Sequence, residues 1–241
     1  MKGKNQSPRL GKSWWPAIIL IIFLNITLLS TPVLADSRQD ASLLIIKARY
    51  LVENFMFDPN LEGFRELIKK ARAVFLVPDL LKGAFIVGAS GGNGLLLVND
   101  PKTGNWDGPA FYTVGGASFG LQIGGSASDT AILVMTERGI TSFMATSVKL
   151  GGDMGIAAGP IGLGVSAATA NLSVDLISFS RSRGLYGGVS LDGSVVAVRD
   201  DLNEAFYKKN VTPTDIFIRH NVVKNPEADI LIEELAKATK K

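Results

Sequence analysis

The stretch from Ser178 to Val198 constrains the fold of this chain more than any other part of the sequence. Bulky residues occupy alternate positions in it, and breaks at Gly184 and Asp192-Gly193 divide it into three short extended runs. The pattern predicts a β-meander of three strands. Gly187-Gly188 lies inside the second run, where glycine weakens a sheet unless a neighbouring backbone packs unusually close. We therefore expect a sheet built on close backbone packing.

Helical spacing on both sides of the extended region completes the fold prediction. Apolar residues recur every three to four positions from Asp40 to Ala71, which predicts two helices, and Ile45, Ile46 and Val52 are expected to widen the inward face of the first. Extended runs follow from Ala73, separated by Pro78-Asp79 and by a glycine-rich turn at 91–94. Further helices are predicted at 137–146, at 201–208, from a Thr212-Pro213 start near Asp215, and at 227–238 with Asn225-Pro226 as its cap. The result is a single α+β domain, with a glycine-rich antiparallel β-sheet or open barrel flanked by N- and C-terminal helices.

The first 35 residues have the pattern of an export signal. Basic residues precede an apolar run from Trp14 to Leu29, and small residues end at Ala35. We expect a signal peptide over 1–35, cleavage after Ala35, and a periplasmic or otherwise exported domain over 36–241. An uncleaved anchor is the alternative. It is disfavoured because a proline and polar residues interrupt the run, which is shorter than the roughly 20 residues of a membrane span.

Removal of this segment reverses the sign of the net charge. The full chain has 25 Lys and Arg residues against 22 Asp and Glu, and segment 1–35 contains four basic residues and no acidic one. The remainder has 21 basic residues against 22 acidic ones, a net charge of −1. This balance argues against nucleic acid as a partner. Cysteine is absent, which excludes disulfides and thiolate chemistry.

Matches to enzyme motifs do not form a catalytic constellation. Ser90 and Ser118 each occupy the centre of a G-x-S-x-G pattern, but no helix is predicted after either serine, as a nucleophile elbow requires. The single histidine, His220, has no histidine or cysteine companion for a zinc site. We interpret it as a polar surface or capping residue, and Trp106 as a loop lid over the core. We expect a protein that is not an enzyme and has neither a metal nor a cofactor.

Several separated segments together resemble the SYLF domain family. They occur in the family's order and cover about residues 43–208. The matching segments are 70–78, 82–85, 106–111, 118–124, 151–160 and the Ser178–Val198 meander.

The resemblance implies a non-catalytic module that binds membrane lipid through an amphipathic N-terminal region and a basic surface. The membrane-facing candidates in the first helix are Leu44, Leu51 and Phe55. For that region, two helices that cover the sheet are the favoured interpretation, and an amphipathic surface that meets a membrane is the alternative. The lipid- or anion-binding candidates are Arg181, Arg183, Lys82 and Lys149.

Arg181 and Arg183 are two residues apart, so an uninterrupted strand would direct both toward one anionic headgroup. Pairing with acids such as Asp175 or Asp192 is the equal alternative.

The function expected from these observations is lipid or membrane binding in the bacterial cell envelope, with recognition of anionic headgroups. A structural or interaction module that binds an envelope protein without lipid is the alternative. A third hypothesis, a small outer-membrane barrel, is disfavoured by the helical ends and the terminal lysines. The resemblance also implies phosphoinositide ligands, as in eukaryotic members of the family, and actin association, as in some fungal members. The export signal and the near-zero net charge of the remaining chain argue against both partners.

Overall fold

A computed structural model describes residues 37–84, 87–119, 124–159, 174–184 and 191–240. All of them belong to the unit Asp36–Lys241. The predicted signal peptide, the predicted strand at 161–170 and Gly187-Gly188 lie outside the described residues.

The described helices and strands follow one another in the predicted α+β order. The helices are α1 (Ser37–Phe57), α2 (Glu62–Ile68), α3 (Glu137–Phe143), α4 (Asp200–Tyr207), α5 (Pro213–Phe217) and α6 (Asp229–Thr239). Short 3-10 turns precede α2 (Pro59–Leu61) and α6 (Pro226–Ala228). The strands are β1 (Ala73–Ala84), β2 (Val87–Asn99), β3 (Trp106–Phe119), β4 (Gly124–Val134), β5 (Ser147–Lys149), β6 (Ile156–Ala158), β7 (Leu176–Gly184) and β8 (Val195–Val198).

The strands form one sheet in the order β5-β8-β3-β2-β1-β4-β7-β6. Neighbouring strands run antiparallel except β6 and β7, which are parallel. The predicted meander contributes β7 and β8, which pair with different strands, and its middle run lies outside the described residues. The Asp192-Gly193 break is a turn in which Gly193 has a φ of +80°.

Connectivity forces the sheet to curl. Eight strands laid flat would place the outermost strands, β5 and β6, roughly 34 Å apart. Segment 150–155 alone joins Lys149 to Ile156, and a chain of that length spans at most about 25 Å. The two outer strands are therefore closer than a flat sheet allows, and the sheet is a half-barrel.

Both faces of the sheet are largely buried over residues 73–80, 95–98, 110–114 and 130–134, each face under a different set of elements. One face, the helix face, packs against α1, α2, α4 and α6 and contributes Val74, Leu76, Leu95, Phe111 and Leu133. The other face, the inner face, contributes Phe75, Leu96, Tyr112, Ile132 and Val196 and is filled by α3, α5 and the 150–155 segment. Side-chain alternation along the strands assigns successive residues to the two faces.

The central strands are longer than the sequence predicts, because glycine and proline are accommodated inside them. Pro78 and Asp79 lie within β1 at a register shift toward both neighbouring strands, so they do not end the strand. The predicted turn at 91–94 is wrong, since all four residues lie inside β2. A Cβ at Gly94 would lie 2.7 Å from the Phe75 ring and 2.8 Å from the Leu76 carbonyl oxygen. Gly94 thus serves close packing of β1 against β2.

The predicted helix caps near the C-terminus are confirmed. Thr212 and Asp215 form a capping box at α5, in which the Asp215 backbone N–H donates to Thr212 Oγ1 and the Thr212 backbone N–H donates to the Asp215 carboxylate. Asn225 caps the 3-10 turn before α6 by accepting from the Glu227 N–H at 3.1 Å.

A buried asparagine extends the sheet beyond the point where β8 stops pairing with β3. The Phe111 N–H donates to Asn203 Oδ1 at 2.9 Å, and Asn203 Nδ2 donates to the Phe111 carbonyl oxygen at 3.2 Å. Asn203 belongs to α4 and is fully buried. Its amide oxygen gives the buried Phe111 N–H a partner. Its amide nitrogen adds a second donor to the Phe111 carbonyl oxygen, which also accepts from the Arg199 N–H at 2.9 Å.

Asp175 ties β7 to α3 and to the segment before β6. Its carboxylate accepts from Thr136 Oγ1 at 2.7 Å and from the Gly155 N–H at 3.1 Å, and it pairs with Arg138 at 2.8 Å. The Thr136 hydroxyl is the main cause that lowers the pKa of Asp175, followed by the Gly155 N–H and Arg138.

The Gly94 contacts generate a prediction about stability. Gly94→Ala should lower the free energy of unfolding by roughly 1–3 kcal/mol, because the new methyl group meets the Leu76 carbonyl oxygen and the Phe75 ring. Gly91→Ala is the matched control in the same strand, since its nearest neighbour would be the Val114 carbonyl oxygen at 3.8 Å. Urea unfolding of both variants measures the difference, and equal midpoints would reject close packing at Gly94.

Asp175 generates a prediction about pH. A lowered carboxyl pKa stabilises the fold at pH above the usual value of about 4 and ceases to do so as pH falls through the folded-state value. Asp175→Asn should therefore reduce the free energy of unfolding most at pH 7, and the difference from wild type should shrink below about pH 4. Denaturant unfolding at several pH values measures this, and a pH-independent difference would contradict it.

Candidate functional site

Helix α1 has one apolar face directed into the core and a second apolar stripe directed outward. The second stripe, which we call the outer ridge, consists of Leu43, Ile46, Tyr50 and Phe57. These residues lie within an arc of roughly 60° on the helix and extend over about 21 Å. Their exposed fractions are 47%, 43%, 52% and 81%, respectively.

Charged side chains beside the outer ridge are paired with one another. Lys47 Nζ lies 3.0 Å from Asp79 Oδ2, and Arg49 Nη2 lies 3.3 Å from Glu53 Oε2. The Arg49 guanidinium also lies 5.0 Å from the centre of the Tyr50 ring. The apolar stripe is thus bordered by neutralised ion pairs.

A groove continues from the outer ridge toward the sheet. It has a volume of about 290 Å³ and lies between α1 and strands β1 and β2. Leu43 lines it from the helix, and Pro78 and Leu81 line it from β1. Leu81 is 60% exposed, so the apolar surface of α1 continues onto the sheet.

The structure corrects the three membrane-facing candidates in α1. Leu44, Leu51 and Phe55 are at most 7% exposed and belong to the core of the helix face. They pack against the sheet, so in this fold they do not meet a membrane. Ile46 was predicted to widen the inward face, yet it belongs to the outer ridge.

Arg181 lies in β7 and pairs with an acid other than the two expected. Its Nε lies 3.5 Å from Asp58 Oδ2, at the end of α1, and its side chain is about half exposed. The predicted partner Asp175 is bound to Arg138. Strand β7 does continue through Arg183, whose side chain lies outside the described residues.

The structure does not bring the described basic candidates into one anion site. Lys82 stands opposite Ser126 of β4, and Arg181 stands opposite Asp129 of the same strand. Ser126 and Asp129 are three residues apart in a regular strand, so Lys82 and Arg181 lie on opposite faces of the sheet. Lys149 is exposed in β5, which pairs with β8 and with neither of their strands.

The other residues considered in the sequence analysis, a serine of an enzyme-like motif, the buried tryptophan and the single histidine, have structural or surface positions. Ser90 is inside β2 and its hydroxyl donates to the Gly116 carbonyl oxygen at 3.5 Å, so it does not occupy a strand-to-helix elbow. The side chain of Ser118 is outside the described residues. Trp106 is 1% exposed and joins the core, and His220 is exposed with its Nδ1 4.0 Å from Asp107. The described part of the chain contains no cluster of three or more potential metal ligands.

Sequence reasoning missed the outer ridge although its signal is present. Positions 43, 46, 50 and 57 follow a helical spacing of three, four and seven residues, on the side of α1 opposite the inward stripe. In a helix with two apolar stripes, either stripe could pack against the core. The sheet, which lies far away in sequence, decides which stripe remains outside.

A protein-family model matches residues 115–238, just over half of the chain. Its description is "Ysc84: Las17-binding protein actin regulator". The description overturns the expectation that actin is not a relevant partner, because the matching family is named for actin regulation.

Curated proteins from animals and fungi are similar to most of this chain. "SH3 domain-containing YSC84-like protein 1" of Homo sapiens is 30% identical over 177 residues, which are 73% of this chain and 51% of the relative. "Protein YSC84" of Saccharomyces cerevisiae is 29% identical over 174 residues, or 70% of this chain and 36% of the relative. The chain spans about half or less of the length of these relatives. The search of solved structures found no significant match.

Proposed function

We propose that this chain, which belongs to the Ysc84 (SYLF) family, is a non-catalytic module that binds membrane lipid peripherally through the outer ridge of α1. The observation that carries the proposal is the exposure of Leu43, Ile46, Tyr50 and Phe57 along one side of a helix whose opposite side is fixed to the core. Aromatic and aliphatic side chains in such a stripe suit the boundary between headgroups and acyl chains.

The shape of the ridge favours an interfacial orientation. It is a narrow convex stripe, so α1 would lie along the membrane surface with its four apolar side chains inserted and its ion pairs in the headgroup layer. None of the helices in the described ranges is long and apolar enough to cross a membrane. Peripheral contact by the ridge needs no such helix.

The electrostatics favour a weak association that depends mainly on apolar burial. Lys47, Arg49 and Arg181 each lie within 3.5 Å of an acidic partner, so their attraction to an anionic surface is partly cancelled. Full burial of one large apolar side chain stabilises by about 1.5–3 kcal/mol, and the ridge residues are already partly covered. A few kcal/mol in total is expected from the four residues.

The absence of catalysis is part of the proposal. Ser90 lies within a strand, and the exposed His220 is paired with Asp107 at the start of β3. These positions support a binding role over serine hydrolysis. The sequence pattern of 1–35 supports export, and we propose the cell envelope as the place of action.

A protein partner is the second candidate function, and the family description favours it. The matching family is described as a Las17-binding actin regulator, and one relative in Saccharomyces cerevisiae is named "LAS seventeen-binding protein 3". An exposed apolar stripe on a rigid helix also fits a protein groove. In this alternative the outer ridge would bind an actin-associated protein or actin itself.

Liposome flotation tests the lipid proposal. Residues 36–241 should float with vesicles, and Tyr50→Ser combined with Phe57→Ser should reduce binding about tenfold or more because two exposed apolar side chains are lost. Binding should persist in about 1 M salt, where exposed charges are screened within roughly 3 Å. Ile218→Ser with Val223→Ser is the matched control, since both residues are exposed outside the ridge.

The outcomes separate the two candidates. Equal flotation of the ridge and control variants would show that the outer ridge is not the lipid-binding surface. Cosedimentation with actin filaments, lost only in the ridge variant and accompanied by no flotation, would favour the protein partner.

The non-catalytic proposal has its own test. We expect a fluorophosphonate probe to leave the full chain unlabelled while it labels a known serine hydrolase in parallel. Ser90→Ala and Ser118→Ala should leave flotation unchanged. Stoichiometric labelling that disappears in either variant would refute the proposal.

A further inference from the structure

A small pocket lies at the junction of β3, α4 and the C-terminal segment, remote in sequence from the outer ridge. Its volume is about 140 Å³. We call it the Trp106 pocket, and its defining residues are Trp106, Asp107, Tyr207, Ile216, Lys224 and Ile232.

The apolar part of the pocket is held in place by hydrogen bonds at its edges. Trp106 Nε1 donates to Thr239 Oγ1 at 3.5 Å, which ties the indole to the end of α6. Tyr207 Oη donates to the Pro109 carbonyl oxygen at 2.8 Å. Both aromatic side chains therefore have satisfied polar atoms. Tyr207 is partly exposed and presents carbon surface to the pocket, whereas Trp106 is 1% exposed and lies behind the pocket wall.

Asp107 is the partly buried carboxylate of this pocket. Its carboxylate is 25% exposed and accepts no hydrogen bond from the part of the chain that the structure describes. Its charged neighbour is Lys224, whose Nζ lies 3.5 Å away, and His220 Nδ1 lies 4.0 Å away. Those two side chains are 81% and 64% exposed, so they are weakly held and readily displaced.

The charges around the pocket favour a ligand with a positive charge over one with a negative charge. Asp107 and Asp229 contribute two carboxylates, and Lys224 contributes one ammonium. An anion would approach Lys224 only beside Asp107. A cation would gain a carboxylate that is partly removed from water and would replace an exposed lysine that can return to solvent.

We propose that the Trp106 pocket binds a small organic ammonium ion, with its charged nitrogen at the Asp107 carboxylate and its alkyl groups against the partly exposed Tyr207 and Ile232. A pocket of about 140 Å³ suits a group the size of choline or ethanolamine. An aromatic ring such as that of Tyr207 is a recurring contact of quaternary ammonium ligands. The same cation occurs as a free amine and as the headgroup of a lipid, and the two sources are separated below.

Fluorescence of Trp106 gives a direct measurement. Trp14 and Trp15 are the other tryptophans of the chain, so the full chain with both changed to Phe reports on Trp106 alone. Choline should change its emission saturably, and the uncharged isostere 3,3-dimethylbutan-1-ol should bind at least about tenfold more weakly. Vesicles of phosphatidylcholine replace choline in a parallel titration.

Two variants with opposite expected signs complete the test. Asp107→Asn should weaken choline binding about tenfold or more, whereas Lys224→Ala should strengthen it because the competing ammonium is removed. A response to choline alone identifies a free amine, and an Asp107-dependent response to vesicles alone identifies a lipid headgroup. No response to either, equal binding of the uncharged isostere, or weaker binding by Lys224→Ala would overturn the proposal. Circular dichroism of both variants establishes that they are folded.

Discussion

The fold depends on one constraint, which is that both faces of the central sheet are buried while its strands remain fully paired. Strands β1 to β4 carry apolar side chains on each face, so the sheet requires cover on two sides. Helices α1, α2, α4 and α6 cover one face. The sheet curls around α3, α5 and segment 150–155 on the other face, because that segment joins the two outermost strands. Glycine permits the close approach of strands that this curvature needs, as at Gly94.

The two proposed binding surfaces arise from the way the sheet is covered. Only part of the apolar surface of helix α1 packs against the sheet, and the exposed part forms the outer ridge. The C-terminal segment crosses the start of β3 without filling all the space, which leaves the Trp106 pocket. One surface is convex and apolar with neutralised borders, and the other is concave with a carboxylate. They suit ligands of different chemistry, and each can be altered without changing the other.

The sequence predicted what local patterns determine and missed what distant segments determine. Caps at Thr212 and Asn225 and the turn at Asp192-Gly193 depend on neighbouring residues, and the structure contains them. The glycines at 91–94 suit either a turn or a tightly packed strand, and Phe75 of β1 decides between these. Arg181 likewise pairs with Asp58, an acid more than a hundred residues away in the chain. Such pairings have no signature in a local window.

Asn203 has a consequence for the order in which the chain can complete its fold. Strands β1 to β4 come from one continuous stretch, so they can pair while later residues are still being synthesised. The backbone groups on the outer edge of β3 find partners only when β8 and Asn203 are present. Asn203 lies 92 residues beyond the Phe111 backbone that it binds. Until then β3 presents unpaired backbone groups that could add a strand from another molecule. The C-terminal quarter of the chain therefore covers the edge of β3 and prevents incompletely folded molecules from associating through that edge.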